Sequence, residues 1–298
     1  MLPLPDAVAR DLDGLLDRAL AEDVGPGDVT TEATIPAATQ ATARFLLKED
    51  GVVAGLAVAE RVFATVDPDL VVTWSAADGN RLEAGTAFGS VEGRAGSILV
   101  AERLALNLMQ RMGGIATAAR RFAEAAAPAV VLDTRKTAPG MRALDKWAVR
   151  LGGAQNHRAG LYDMVLVKDN HIAAAGGVRA AVEAVDRHLR QRALDVPVEV
   201  EARTLDEVDA VLAAHADGLR VDRVLLDNMA RRTDGGLDVS LLEDAVGRVG
   251  RRVETEASGN VTLETAGAIA ATGVDSISVG ALTHSVRALD VSLKIDLA

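Results

Sequence analysis

The sequence predicts an α/β protein: a carboxyl-terminal parallel α/β barrel of about six strands, preceded by an α+β domain. Two observations lead there. Short β-branched or apolar runs recur six times beyond residue 129, and each stops on polar residues or glycine. Buried parallel strands read this way when their carboxyl ends line a site. Helical patterns near 177–192, 204–215, 239–249 and 262–272 alternate with the runs, which implies crossovers between parallel strands. Six units whose endings must converge close naturally into a barrel, with an open doubly wound sheet as the alternative.

Taken in order, Val8, Leu12, Leu15, Leu16 and Ala19 fall at helical spacing over residues 6–20, predicting an amphipathic helix. Residues 22–31, dense in Gly, Pro and Asp, predict a loop. Stretches 41–49, 70–75 and 86–92 read as strands and 55–66 as a helix, giving the α+β domain. A long helical pattern starts near Gly96, is expected to break at Gly113-Gly114, and resumes over 115–127. The junction falls at 110–116, so the division is 1–113 for the first domain, 114–280 for the barrel and 281–298 for a tail. Alternation from Val286 to Leu297 predicts that this tail returns as a strand to the first domain.

The six barrel runs end as follows. Val130-Val131-Leu132 leads into Asp133-Thr134-Arg135-Lys136, and Val165-Leu166-Val167 into Lys168-Asp169-Asn170-His171. Val198-Glu199-Val200 leads into Glu201, and Val224-Leu225-Leu226 into Asp227-Asn228. The run 253–256 leads into Ser258-Gly259-Asn260, and Ile277-Ser278-Val279 into Gly280. An enzyme site at these endings is the leading expectation.

Composition narrows the class. The chain has no cysteine, which excludes disulfides and thiolate chemistry and fits a cytoplasmic protein. No window approaches the ~18 uninterrupted apolar residues of a membrane span, and the first six residues lack the pattern of a secretory leader. A net charge of −11 argues against a nucleic-acid surface. Against that background residues 133–171 hold seven basic side chains and four acidic ones, including three of the five lysines. Arg142, Lys146 and Arg150 fit either a solvated helical face or a basic pocket. Arg135, Lys136 and Lys168 close apolar strands and so point to a pocket for a small polyanion.

Further candidates follow from residue chemistry. Gln155-Asn156-His157-Arg158 comes after Gly152-Gly153, where the backbone is free to turn, and marks His157 and Arg158 as functional. Glu201 and Asp227 end successive strands and suit binding Mg²⁺, steadying a ribose or stabilising a cation, with pairing to Lys136 or Lys168 as the structural alternative. Ser258-Gly259-Asn260 feeds a helix and Gly280 opens the next loop, as phosphate-binding loops do. Signatures of P-loop, HExxH zinc, Rossmann and nucleophile-elbow enzymes do not occur.

With these residues in view, the chain resembles the quinolinate phosphoribosyltransferases, type II phosphoribosyltransferases, over nearly its whole length. The resemblance rests on EDVGPGDVTT at 22–31, ERLALNLMQRMGGIAT at 102–117, the continuous stretch 133–172, VEVEA at 198–202, LLDNM at 225–229, EASGNV at 256–261 and SVGALTHS at 278–285. It implies a homodimer, with further assembly left open, in which one subunit's first domain faces the partner's barrel. It also implies quinolinate binding by Arg135, His157, Arg158 and Lys168, with Arg103 contributed across the dimer. Phosphoribosyl pyrophosphate (PRPP) and Mg²⁺ are implied near Lys136, Glu201 and Asp227, and the 5-phosphate near Ser258, Gly259, Asn260 and Gly280. Lys136, Lys168, Glu201 and Asp227 are the implied catalytic set, and Glu201 and Asp227 the metal ligands. Asn260 stands where many members carry glycine, and 215–222 makes a longer connection than usual. The implied reaction is transfer of phosphoribose to quinolinate with loss of CO₂, giving nicotinate mononucleotide and pyrophosphate. Rivals are a nicotinate-using relative, a Schiff-base aldolase using Lys168, and a non-catalytic sensor.

Overall fold

The four aromatic side chains Phe45, Phe63, Trp74 and Phe88 meet at ring separations of 4.7–6.1 Å and build the centre of the first unit's core. They come together because the strand Gln40–Leu47 alternates, burying Ala41, Ala43, Phe45 and Leu47 on one face. Its antiparallel sheet runs in the order Val291–Leu297, Gln40–Leu47, Ala87–Arg94, Val71–Trp74, and the helix Leu56–Val66 supplies Phe63. This computed structural model describes residues 4–297; residues 1–3, part of the segment read above for a leader, and residue 298 lie outside it. No helix among the described residues is long and apolar enough to cross a membrane.

The chain forms two compact units. The first comprises the described residues through Arg120, Thr137–Gly153 and those from Ala281 on; the second comprises Arg121–Lys136 and Ala154–Gly280. Two expectations for the first unit need correction, and one alternative left open by the sequence is decided. Gly113-Gly114 does not break the long helix, which runs from Ala95 to Ala126. A side chain at Gly114 would come within 2.1 Å of the Arg287 carbonyl, and one at Gly113 would meet Leu289, so the two glycines admit a passing chain without bending the helix. Residues 22–31 are not all loop, because Asp28 accepts the N–H groups of Thr30 and Thr31 at 3.0 Å and caps a helix at Val29–Thr34. The helix Arg142–Leu151 is not a solvated face: Leu144 through Val149 are buried, Arg111 pairs with Asp145 at 2.8 Å, and only Arg150 is exposed.

The second unit is the α/β barrel. Its six parallel strands, in chain order, are Val130–Leu132, Val165–Val167, Val198–Ala202, Arg223–Asp227, Glu254–Ser258 and Ser276–Ser278. Hydrogen bonds link the first strand to the sixth and then each to its predecessor, down to the second. The helices Val178–Arg192, Leu205–Ala216, Ser240–Val249 and Leu263–Ala270 form crossovers between them. First and second strands are not paired. There Gln155 bridges to Leu132, its N–H donating to the Val131 carbonyl at 2.8 Å while its carbonyl accepts from Asp133 N–H at 3.1 Å. This seam satisfies an otherwise open edge and carries the following residues, His157 and Arg158, into the barrel mouth. A hairpin of Arg231–Thr233 and Gly236–Asp238, unforeseen in the sequence, follows the fourth strand.

Candidate active site

Strand alternation places Glu199 and Glu201, Arg223, Leu225 and Asp227, Glu256 and Ser258, and Ser278 on inward positions, while Val198, Val200, Val224, Leu226, Ala257 and Ile277 face the helices. The barrel interior is therefore polar. At the carboxyl ends it opens into a pocket of about 390 Å³ lined from all six strands. Thr134, Arg135 and Lys136 follow the first strand, and Lys168, Asp169 and Asn170 the second. Glu201, Asp227, Ser258 and Ser278 come from the last four, and His157 and Arg158 enter from the seam. Five cationic side chains (Arg135, Lys136, Arg158, Lys168, Arg203) and four carboxylates (Asp169, Glu201, Asp227, Glu256) share the wall.

The basic side is built from the seam outward. Buried Asp133 accepts the His157 N–H at 2.8 Å, fixing the backbone there. The His157 ring accepts the Arg158 N–H on Nδ1 at 2.8 Å, so its proton sits on Nε2, which donates to Glu199 at 2.8 Å. The Arg158 guanidinium donates to the Met164 carbonyl at 3.2 Å. Burial and the neighbouring Arg135 lower the Arg158 pKa from its ordinary value. Two guanidinium groups held close in a partly buried wall repel each other, which an anionic ligand would relieve. Lys168 precedes the helix Asp169–Ala175, its N–H held by the His171 ring at 3.0 Å.

Beneath this side lies a charged cluster. Glu256 accepts from Arg223 at 2.9 Å and lies 3.6 Å from His157 Nε2. Burial, with Glu199 adding to it, pushes the Glu256 carboxyl up to about 7, although His157 and Arg223 oppose the shift. Burial likewise raises Glu199. His157, Glu199 and Glu256 present donor atoms within 4.8 Å of one another, the only such group among the described residues. Both ring nitrogens of His157 are already engaged, Nδ1 accepting from Arg158 and Nε2 donating to Glu199, and Arg223 pairs with Glu256, so the cluster is an internal ion network rather than a metal centre.

The acidic side joins Glu201 and Asp227, on adjacent strands, to Asp169. Burial raises the Glu201 pKa, and Asp227 and Asp169 raise it further. In place of Lys136 or Lys168, named as alternative partners, Arg203 pairs with this side, its nitrogens lying 3.0 Å from Glu201, 3.3 Å from Asp227 and 2.8 Å from Asp169. Crowded hard oxygen donors of this kind fit Mg²⁺ shared with phosphate oxygens, since that ion is usually held by one or two carboxylates plus substrate.

The loop after the fifth strand is tightly folded. Gly259 has φ +101°, and a Cβ there would lie 2.2 Å from Asn228 Oδ1. Asn228 and Asn260 also have positive φ, at 56° and 52°. Asn228 donates to Asp227 at 2.6 Å, tying this loop to the acidic side.

Of the residues singled out in the sequence, Arg135, Lys136, His157, Arg158, Lys168, Glu201, Asp227 and Ser258 line one pocket. Gly259 and Asn260 follow Ser258 directly, and Gly280 follows the sixth strand by two residues. Arg103 is exposed on the long helix of the first unit. The sequence reading missed Glu199, Glu256, Arg223 and Arg203. For Glu199 the signal was parity with Glu201, and for Arg223 parity with Leu225 and Asp227, as inward residues of one strand must recur at every second position.

The family model for the quinolinate phosphoribosyl transferase C-terminal domain matches residues 115–294, and that for the N-terminal domain matches residues 28–113. Quinolinate phosphoribosyltransferase (decarboxylating) 1 of Nicotiana glauca is 56% identical over 289 residues, covering 96% of this chain and 83% of that protein. The chloroplastic nicotinate-nucleotide pyrophosphorylase (carboxylating) of Arabidopsis thaliana is 55% identical over 295 residues, covering 98% and 85%. The crystal structure of NadC from Streptococcus pyogenes superimposes with a TM-score of 0.89 at 35% identity, covering 99% of both chains.

Proposed function

This chain belongs to the quinolinate phosphoribosyltransferase family, and from that membership we propose that it transfers phosphoribose from PRPP to quinolinate with decarboxylation, a step of NAD biosynthesis. The observation that supports this reading most is the polarity of one pocket, with Arg135, Lys136, Arg158 and Lys168 on one side and Glu201 and Asp227 on the other. A dicarboxylate and a pyrophosphate need the first side, and a sugar cation needs the second.

Arg135, Arg158 and Lys168 hold the quinolinate carboxylates and aim the pyridine nitrogen at ribose C1. Lys136 offsets charge on the pyrophosphate. As the C1–O bond breaks, positive charge grows on the ribose, and Glu201 and Asp227 stabilise it. The nitrogen lone pair then forms the bond to C1, giving a pyridinium. As the adjacent carboxylate leaves as CO₂, the electron pair of the broken bond stays on the ring carbon, where the neighbouring positive nitrogen stabilises it, and that pair takes up a proton. The backbone at Ser258, Gly259, Asn260 and Gly280 positions the 5-phosphate. Glu201 and Asp227 also hold Mg²⁺, which when bound offsets the charge of the departing pyrophosphate. His157 acts on quinolinate through the Arg158 backbone it fixes.

The proposed working unit is a homodimer in which the exposed Arg103 reaches the partner's pocket, where it adds a cation for the dicarboxylate. A cysteine-free chain is at home in the reducing cytoplasm, which is the proposed compartment. The test is product analysis with quinolinate, PRPP and Mg²⁺, and with nicotinate as a parallel substrate. Equal amounts of CO₂, pyrophosphate and nicotinate mononucleotide from quinolinate alone are expected. Turnover of nicotinate without CO₂ would overturn the decarboxylating assignment.

A further inference from the structure

Arg203 stands just beyond the third barrel strand, Val198–Ala202, and its backbone is firmly held. Its N–H donates to Glu207 at 2.6 Å, and Glu207 also takes the Thr204 N–H at 3.2 Å in the capping box of the helix Leu205–Ala216. The side chain, in contrast, is 47% exposed and is held by ion pairs and one hydrogen bond to Asp227. Its Nη1 meets Asp169 at 2.8 Å, Nη2 meets Glu201 at 3.0 Å and Nε meets Asp227 at 3.3 Å. One guanidinium thus spans carboxylates from the ends of the second, third and fourth strands.

That placement conflicts with the proposed reaction. A divalent cation serving Glu201 and Asp227 needs oxygen lone pairs that the guanidinium now faces, and two cations do not share so small a space. The carboxylates of Glu201 and Asp227 are mostly buried, but the guanidinium itself is about half open to solvent, so a ligand of higher charge can displace it. Its planar fork also matches phosphate oxygens, which would receive it after displacement.

We propose that Arg203 is a displaceable counter-ion: before ligands bind it takes the metal's place between Glu201 and Asp227, and it yields when the metal arrives with pyrophosphate oxygens that accept the guanidinium. Loading of the metal thereby becomes coupled to loading of PRPP, and bare metal is kept out. Removing the guanidinium leaves three carboxylates facing one another, a stronger site for a bare divalent cation. This inference rests on the assignment of Glu201 and Asp227 to the metal, and its test needs neither substrate.

The test titrates purified protein with Mn²⁺ alone, reading free Mn²⁺ by electron paramagnetic resonance. Wild type, Arg203→Gln, Arg203→Lys and the double variant Arg203→Gln/Glu201→Gln are compared. Arg203→Gln should bind Mn²⁺ at least about tenfold more tightly than wild type. Arg203→Lys, a single point charge, should fall between them, and the double variant should lose the gain. Unchanged or weaker binding in Arg203→Gln, or a gain that survives loss of Glu201, would overturn the proposal. Should Arg203→Gln not fold, Arg203→Lys decides alone: tighter binding than wild type is expected, and equal binding overturns the idea. A wrong substrate assignment would leave these titrations unchanged and would show instead in the product analysis.

Discussion

His157 donates from Nε2 to the buried carboxylate of Glu199 at 2.8 Å, while its other ring nitrogen accepts the N–H of Arg158. The imidazole therefore links the ion network inside the barrel to the backbone that carries the Arg158 guanidinium, proposed above to bind quinolinate. His157→Ala removes that link and leaves Glu199 without its donor. Its kcat/KM for quinolinate should fall by about a hundredfold, a loss of about 2.7 kcal/mol of transition-state binding. The KM for PRPP should change little. Steady-state kinetics with each substrate varied separately checks this, and an unchanged quinolinate KM would remove His157 from the binding apparatus.

The same network makes stability depend on pH. The folded-state pKa of Glu256 is pushed up to about 7 from an ordinary 4.5, chiefly by burial. Between those values the folded protein binds more protons than the unfolded chain, so this contribution is complete below about pH 4.5 and is lost as pH rises through about 7. The loss is at most about 3 kcal/mol. Glu256→Gln keeps the shape without the titration. Urea unfolding at pH 5 and pH 8 should show a smaller decline across the interval in the variant than in wild type, and equal declines would refute the assignment.

Gly259→Ala tests the loop assigned to the 5-phosphate. The new Cβ would lie 2.2 Å from Asn228 Oδ1 at a φ of +101°, so both side-chain space and backbone conformation oppose it. A stability loss of about 1–3 kcal/mol is expected. Asn228 holds Asp227 at 2.6 Å, so the displacement should also raise the PRPP KM, by roughly tenfold, while the quinolinate KM stays near wild type. Calorimetry and kinetics on one preparation read both effects.

How much of this was legible in the sequence follows from what each residue signals locally. Lys136, Lys168, Glu201 and Asp227 were visible because each interrupts or ends an apolar run, and chain order alone brings the ends of parallel strands together. Glu199 and Glu256 were hidden inside runs taken as uniformly buried. The apolar residues of those strands face the helices, and the inward face is polar, a pattern of period two that a reading by runs averages away. Arg203 lay one residue past the strand, where a cation at a helix start looks like solvent decoration. The uninterrupted helix across Gly113-Gly114 depends on Arg287 and Leu289, residues far along the chain that local propensity cannot register.

Metal removal separates the acidic wall from the basic one. Exhaustive chelation should abolish turnover and weaken PRPP binding, whereas quinolinate, if held by Arg135, Arg158 and Lys168 as proposed, should bind with nearly unchanged affinity. Calorimetric titration of each substrate into chelated protein distinguishes the two. Loss of quinolinate binding on chelation would mean that the metal bridges both ligands, contrary to the division drawn here.

Arg103 offers the sharpest test of a site shared between subunits. It is exposed on the helix Ala95–Ala126, whereas the pocket residues all belong to the second unit. Arg103→Ala should lose at least about a hundredfold in kcat/KM for quinolinate, as expected when a charge-assisted partner of a carboxylate is removed. Glu201→Gln should be inactive for a different reason, loss of the acidic side. If Arg103 acts across a dimer, mixing the two variants after subunit exchange creates hybrids with one pocket that has both groups intact, and random assortment should restore up to about a quarter of wild-type activity. If Arg103 serves its own chain's pocket, every pocket in the mixture lacks one group and no activity returns.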